Sequence, residues 1–580
     1  MDIERIIGAF GKLDPYIETF LDRATVDRWH GSPKFDGWDA PFLDPAVLNG
    51  AERPCILAVI DDSIPLLHPL LTRQVGEGPR SRIAAAWIMG APRTARFGRT
   101  LQIGREVRGT QIDRWLAERG PAGLDEEAVL RREGLWDASR GPRHAGGRAH
   151  AHGAAVAGLL AGYAPDDPAG GARPVIAVAL PPEITRDTEG TFAPWFLHAA
   201  LVFVMRRAAA LAPMLRHLGP PSAGPPPLVV NLSYGVSAGS KDGFGAVPTL
   251  LRAFETGEGL PPMLRADRDA LGPVRFVLPM GNHRRDRLRA RLAPGSPEGA
   301  PAEDAPAESV VHWVLPPADA TPSFLEIWGP SGTPPAPVRI AITPPGGSEI
   351  VVPDPGASWI KALTLGGPRL VIRAYKSIRP ASWTPDVDGR AREVLTIALP
   401  PTEPHAPPLE DGMGRPGAWR VRSLSDVPLD LHVQRDDAIA GYGGGRQSSL
   451  VDGRYEPKGP DGRYPFEGPD GQPEPRPSRF GVTEEGTVNA YAAGEAMLGA
   501  GALRGDGAPA FYSALGGKGI SPERRPLRGD ASAVADRSGN LPGVPVIGAL
   551  AGARGRASGT SMAAPQVARA LADHLASRED

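Results

Sequence analysis

The stretch Gly559-Thr560-Ser561-Met562-Ala563-Ala564-Pro565 reads as the opening of a helix. Small residues crowd the turn, Pro565 is tolerable within the first turn, and Val567, Leu571 and Leu575 continue at helical spacing, which predicts a helix over 560–576. Ser561 then lies at a helix N-terminus, where unpaired backbone N–H groups and the positive end of the macrodipole stabilise developing negative charge. A hydroxyl placed there is a candidate nucleophile. The chemistry requires two further things at the same point, a base to take its proton and donors for the oxyanion that forms.

Working outward, His152-Gly153-Ala154-Ala155-Val156-Ala157-Gly158 has the same character. Small residues let a helix pack closely on a sheet and leave the leading imidazole at its mouth, so His152 is the candidate general base. The apolar run 55–60 ends in Asp61-Asp62-Ser63, the way a buried parallel strand delivers polar groups to a sheet edge. Asp61 would accept the N–H of His152, fix its tautomer and stabilise the imidazolium. The run Phe276-Val277-Leu278-Pro279-Met280-Gly281-Asn282 is a strand ending in a side-chain amide. Asn282, with the backbone N–H of Ser561, is the candidate oxyanion donor.

Apolar runs like 55–60 recur at 175–180, 228–232 and 276–278, with helical patterns at 152–163 and 191–217 between them. Strands alternating with helices predict an α/β fold around a parallel sheet. After Asn282 the pattern changes to short apolar runs at 310–315, 324–328, 338–342, 370–375, 394–399, 419–421 and 429–433, separated by Pro/Gly turns, which predicts a β-rich, sandwich-like insertion. The expected organisation is an N-terminal extension over 1–50, the first part of the α/β domain over 51–290, the insertion over 291–439, a Gly/Pro-rich loop over 440–480, and the second part of the α/β domain, with the nucleophile helix, over 481–580.

The chain of 580 residues carries 64 Lys and Arg against 66 Asp and Glu, a formal net charge of −2. That balance offers no basic surplus for a phosphate backbone, so nucleic acid is excluded as an expected partner. Cys55 is the single cysteine, so no intrachain disulfide forms, and charges interrupt the first twenty residues where a signal peptide needs a continuous apolar stretch. The expectation is a cytoplasmic protein. The most apolar helical run, 196–205, reads as too short to span a bilayer before it meets Arg206 and Arg207, so no membrane association is expected.

These segments resemble the subtilase family, the subtilisin-like serine peptidases. The order Asp, His, Ser is that of the family. VIDDSIPLLHP, with His68-Pro69, resembles its Asp segment, HGAAVAG its His segment and VVNLSYG its substrate-pairing strand, while GTSMAAP matches its serine segment letter for letter. The resemblance covers roughly 51–283 and 486–576. It implies a serine endopeptidase acting on protein or peptide in extended conformation, with Asp61, His152 and Ser561 as triad and Asn282 in the oxyanion hole. It further implies that Ser233, Tyr234 and Gly235 bind the substrate main chain and that Pro279, Met280 and Gly281 line the pocket for the side chain preceding the scissile bond. Asp62-Ser63 replaces the family's usual Thr-Gly or Ser-Gly, and Leu70 takes the place of a common calcium-ligating Asp, so no metal and no cofactor is expected. The resemblance says nothing of the insertion, which is expected to gate access or hold a protein partner. The alternative reading is a catalytically silent subtilase-like binding module. An α/β-hydrolase is excluded because no G-x-S-x-G surrounds Ser561.

Overall fold

The computed structural model describes residues 53–91, 103–120, 123–135, 151–185, 193–218, 224–295, 306–352, 358–363, 370–381, 389–403, 413–436, 444–452, 480–494, 497–514, 531–537 and 542–577. The N-terminal extension and most of the Gly/Pro-rich loop lie outside them.

The central element is an eight-stranded sheet of β1 (Ile56–Asp61), β2 (Ile83–Ile88), β3 (Arg105–Arg108), β4 (Val175–Ala179), β5 (Leu228–Leu232), β6 (Val274–Pro279), β7 (Met497–Leu503) and β8 (Ala531–Val534). Their order is β8-β7-β6-β5-β1-β4-β2-β3. All neighbours are parallel except the edge pair β2–β3. The chain first builds outward on one side of β1, then crosses to the other side with β5, so β1 and β5 flank a reversal of strand order. Ligand clefts of open α/β sheets form at the carboxyl ends of strands at such a reversal.

Alternate side chains of the strands serve opposite faces. Leu57, Val59, Ala177, Val229 and Val277 pack with α1 (His152–Ala161) and α4 (Thr560–Ser577). Ile56, Ala58, Ile60, Ile176 and Val230 pack with α2 (Ala193–Leu218) and α3 (Ala246–Thr256). Both faces are covered, which is why β1, β4 and β5 are buried along their whole length rather than at alternate residues.

One expectation needs correction. The helix expected over 191–217 forms, but 196–205 is not its limit as an apolar segment: over 193–216 it is long and apolar enough to cross a membrane by length and composition. Arg206 pairs with Asp267 and Arg207 with Glu106, so both charges are accommodated inside the protein. Within this fold α2 is an interior helix, with 78% of its most apolar stretch buried.

Between β6 and β7 the chain forms two antiparallel sheets. One has five strands in the order Ile350–Val351, Ile340–Thr343, Gly417–Ser423, Val310–Leu315, Ser449–Val451. The other has seven, in the order Ser358–Leu363, Leu370–Pro380, Ala391–Leu399, Ser323–Trp328, Leu429–Val433, Arg289–Leu292, Gly481–Val482. Trp313, Trp419 and Val421 of the first sheet and Leu325, Ile327, Ile397 and Leu431 of the second share one buried core, the arrangement of a sandwich. Ser449–Val451 falls in the stretch expected to be loop. It becomes a strand because Leu450 enters that core and the segment pairs with His312–Val314.

Candidate active site

Asp61 is the last residue of β1 and is 4% exposed at its side chain, whereas the His152 ring above it keeps 41%. His152 Nδ1 lies 2.7 Å from Asp61 Oδ1, which also accepts the backbone N–H of Asp62 at 2.8 Å. With a carboxylate at Nδ1, that nitrogen carries the proton and Nε2 faces outward as an acceptor. Burial lowers the proton affinity of His152, but the charges of Asp61 and Asp62 outweigh it and bring the pKa up to about 9; Arg435 acts in the opposite direction. Burial also raises the carboxyl of Asp61, against the pull of His152.

Asp62 has a part that sequence reasoning missed. The N-cap of α1 is Ala151, which has no side-chain acceptor to offer the first turn. The Asp62 carboxylate supplies one from the neighbouring strand end, accepting the N–H of Gly153 at 2.6 Å. A carboxylate at a helix N-terminus is favoured by the dipole as well as by the hydrogen bond. Gly153 is required at this crossing, since a Cβ there would lie 2.2 Å from the Ser63 carbonyl oxygen and 2.9 Å from the Asp61 Cβ. The only sequence signal was the pair of adjacent carboxylates after an apolar run.

Ser561 is half-buried at the start of α4, where its N–H belongs to the first-turn groups that lack an intrahelical acceptor. Asn282 lies beside it. Its Oδ1 accepts both the N–H and the hydroxyl of Thr560, each at 2.8 Å, which fixes the amide orientation and turns Nδ2 away from that contact. Thr560 Oγ1 in turn accepts the N–H of Gly281 at 3.2 Å, and the Tyr512 hydroxyl accepts the N–H of Gly559 at 2.8 Å. The turn before Ser561 is therefore tied by three hydrogen bonds to the loop after β6 and by a fourth to Tyr512, beyond β7.

Asp61, His152, Ser561 and Asn282 line one cleft of about 320 Å³, together with Ser233, Tyr234, Gly235, Pro279 and Gly281. Among the described residues no hydrogen bond joins His152 to Ser561. Met280 does not line the cleft, contrary to expectation. Its side chain is 2% exposed and packs against Gly499 of β7, because alternation after Pro279 turns it into the core. The Ser233 hydroxyl is likewise engaged, donating to the Ser561 carbonyl at 3.3 Å and accepting from Asn231 Nδ2 at 3.0 Å.

Asn489 is a further residue that the sequence did not flag. Its Nδ2 donates to the carbonyls of Tyr234 (3.1 Å) and Pro279 (3.0 Å), and its Oδ1 accepts the N–H groups of Val236 (3.2 Å) and Tyr491 (3.0 Å). One amide thus joins the two walls of the cleft. Gly235 makes room for it, since a Cβ there would lie 2.1 Å from Asn489 Cγ.

Asp61, Asp62 and His152 are also the one group of metal-ligating side chains found together among the described residues, with ligand atoms within 4.8 Å of one another. Asp61 Oδ1 and Nδ1 of His152 are spent on each other, and Asp62 Oδ1 is spent on Gly153.

No protein-family model and no curated protein matches the chain. Among solved structures, the CspB protease of Clostridium perfringens is similar, with a TM-score of 0.55 at 16% sequence identity, over 92% of this chain and 86% of that one. The likeness is one of architecture, in which a large parallel sheet flanked by helices is joined to additional antiparallel sheets. The chain has a subtilisin-like α/β fold.

Proposed function

We propose that the chain is a serine endopeptidase that cleaves extended peptide with Ser561 as nucleophile, His152 as general base, Asp61 as its orienting carboxylate and Asn282 as oxyanion donor. The observation that carries this reading is the 2.7 Å contact between His152 and Asp61 in the same cleft as a serine at a helix N-terminus. His152 takes the Ser561 proton as Oγ attacks the scissile carbonyl, and the imidazolium that results is held by Asp61. The negative oxygen is received by Asn282 Nδ2 and the Ser561 N–H. His152 then returns the proton to the leaving amine, and water repeats the sequence on the acyl-enzyme. The chain's likeness in fold to a protease supports peptide as the substrate class.

A catalytically silent binding protein is the second reading, favoured by the lack of a hydrogen bond between His152 and Ser561. Labelling with an active-site fluorophosphonate, followed by mapping of the adduct, separates the two. The expected result is modification of Ser561 that is lost in His152→Ala. Intact, unlabelled protein under conditions that label a control serine peptidase would overturn the proposal.

A further inference from the structure

Two segments that line the cleft, one holding Val236 and Ser237 and the other Thr487 and Asn489, are joined along a seam. Ala490 donates its N–H to the Val236 carbonyl at 3.0 Å, and Val236 donates its own to Asn489 Oδ1 at 3.2 Å. Lys241 reaches the same seam from the interior, 1% exposed and outside the cleft lining. Its Nζ donates to the carbonyls of Ser237 at 2.5 Å and Ala238 at 3.4 Å in one segment and of Val488 at 2.7 Å in the other. An ammonium has three N–H donors, and here three carbonyls receive them.

A charge this deeply buried persists only where dipoles or other charges compensate it. Among the described residues no carboxylate forms an ion pair with Lys241. The counter-charge is Glu326 of the sandwich strand Ser323–Trp328, which raises the proton affinity of Lys241. The Glu326 oxygens accept from the Gly239 N–H at 2.8 Å, Trp328 Nε1 at 2.9 Å and the Gln434 side chain at 2.9 Å. Burial nevertheless pushes the Lys241 ammonium down to about 7, and Arg289 adds to that effect. His432 of strand Leu429–Val433 is held well below its ordinary range by burial and by the charges of Lys241, Arg289 and Arg392, so it is neutral. Arg289 is paired with Asp430, and Arg392 with Asp242 and Asp430.

We propose that Lys241 is a positioning residue for peptide binding, its ammonium fixing the spacing of the cleft segments that end at Ser237 and begin at Val488, with Glu326 of the sandwich as its counter-charge. The proposal rests on the peptide-binding reading of the cleft and not on its catalysis. A peptide that adds a strand along Ser233, Tyr234 and Gly235 needs that backbone held at a set distance from the Thr487–Asn489 segment. On this account the sandwich is part of what shapes the cleft, through a charge that never enters it.

The test is binding to the full-length Ser561→Ala protein, so that turnover plays no part. Blocked, rhodamine-labelled pentapeptide amides free of titratable side chains are titrated with protein, and affinity is read by anisotropy as a function of pH. A neutral amine offers fewer and weaker donors than an ammonium, so affinity should fall about tenfold as pH rises through about 7. Lys241→Met keeps the aliphatic stem and should bind at the weaker level at every pH. Glu326→Gln still offers an oxygen to Gly239 but lacks the charge, so the fall should move to lower pH, whereas a purely structural contact would leave it in place. Thermal melts report which variants fold, and Glu326→Gln decides the question if Lys241→Met does not. Affinity independent of pH in the Ser561→Ala protein, folded Lys241→Met that binds as its parent does, or a profile unmoved by Glu326→Gln would overturn the proposal. Absence of binding by any peptide would remove the peptide-binding reading itself, and the proposal with it. Failure of fluorophosphonate labelling at Ser561, by contrast, would remove the catalytic reading and leave this result standing.

Discussion

Ser561 projects a single hydroxyl from a half-buried helix start, so its removal disturbs little packing. Ser561→Ala should lower turnover on the order of a million-fold with an unchanged unfolding midpoint, as steady-state assays on a peptide ester and thermal melts would show. Asn282→Ala removes a donor to a charge present mainly in the transition state. A drop of roughly a hundredfold to a thousandfold in kcat with little change in KM is expected, and a change confined to KM would make Asn282 a substrate contact instead. His152 supplies the pH dependence. Its pKa is raised to about 9, and the base must be neutral to act, so kcat/KM should climb as pH rises toward that value. Asp62→Asn deletes a charge that favours the imidazolium, so the climb should move to lower pH; a profile that stays in place would show that Asp62 has no electrostatic hold on His152. The sign for stability is the reverse of that for activity. A histidine raised on folding stabilises the fold below its unfolded pKa, and that contribution is lost as pH rises through about 9. Asp61, His152, Asn282 and Ser561 were all legible in the sequence because each sits in a stereotyped run of small or apolar residues. Arg435 and Asn489 were not, because both lie in segments whose composition is unremarkable and reach the cleft only through tertiary contacts.

Elements position these side chains through a few contacts between strand ends and helix starts. Asn489 is the clearest case, holding Tyr234 and Pro279 carbonyls from adjacent strand ends with one amide. Asn489→Ala leaves buried donors and acceptors on both walls unsatisfied and should cost about 3 kcal/mol in chemical denaturation. It should also raise KM as the walls lose their spacing, and unchanged stability would show that the walls hold each other without it. Most elements themselves were readable. The apolar runs at 228–232 and 310–315 became strands with those bounds, since burial on both faces or strict alternation fixes a strand locally. Where the reading failed, a partner distant in sequence decided the outcome. The Trp313 strand draws Leu450 out of a stretch expected to be a polar loop.

At the scale of the whole molecule, the sandwich and the α/β part share buried polar contacts and not merely a chain connection. Glu326 of the sandwich accepts the Gly239 N–H at 2.8 Å, and Arg392 reaches Asp242 at 3.4 Å. Between them lies Lys241, 1% exposed, with Nζ donating to the carbonyls of Ser237 (2.5 Å) and Val488 (2.7 Å). Burial lowers its pKa to about 7 despite the charge of Glu326. Replacing the sandwich by a short linker would expose Lys241 and hand the Gly239 N–H and the Ser237 hydroxyl to water, at about 0.5–1.5 kcal/mol for each hydrogen bond lost. The unfolding midpoint of the α/β part should then fall by several degrees, whereas an unchanged midpoint would show that the two parts are independent. The sequence by itself determined the α/β class, the chain order of the candidate chemistry and the β-rich character of the stretch before β7. It did so because hydrophobic period and helix-start chemistry are written in neighbouring residues. Only the tertiary structure decided that Asp62 caps α1, that Met280 faces the core, and that the sandwich places Arg435 in the cleft. Each depends on groups far apart in sequence, whose meeting is set by strand order and packing and leaves no local pattern to read.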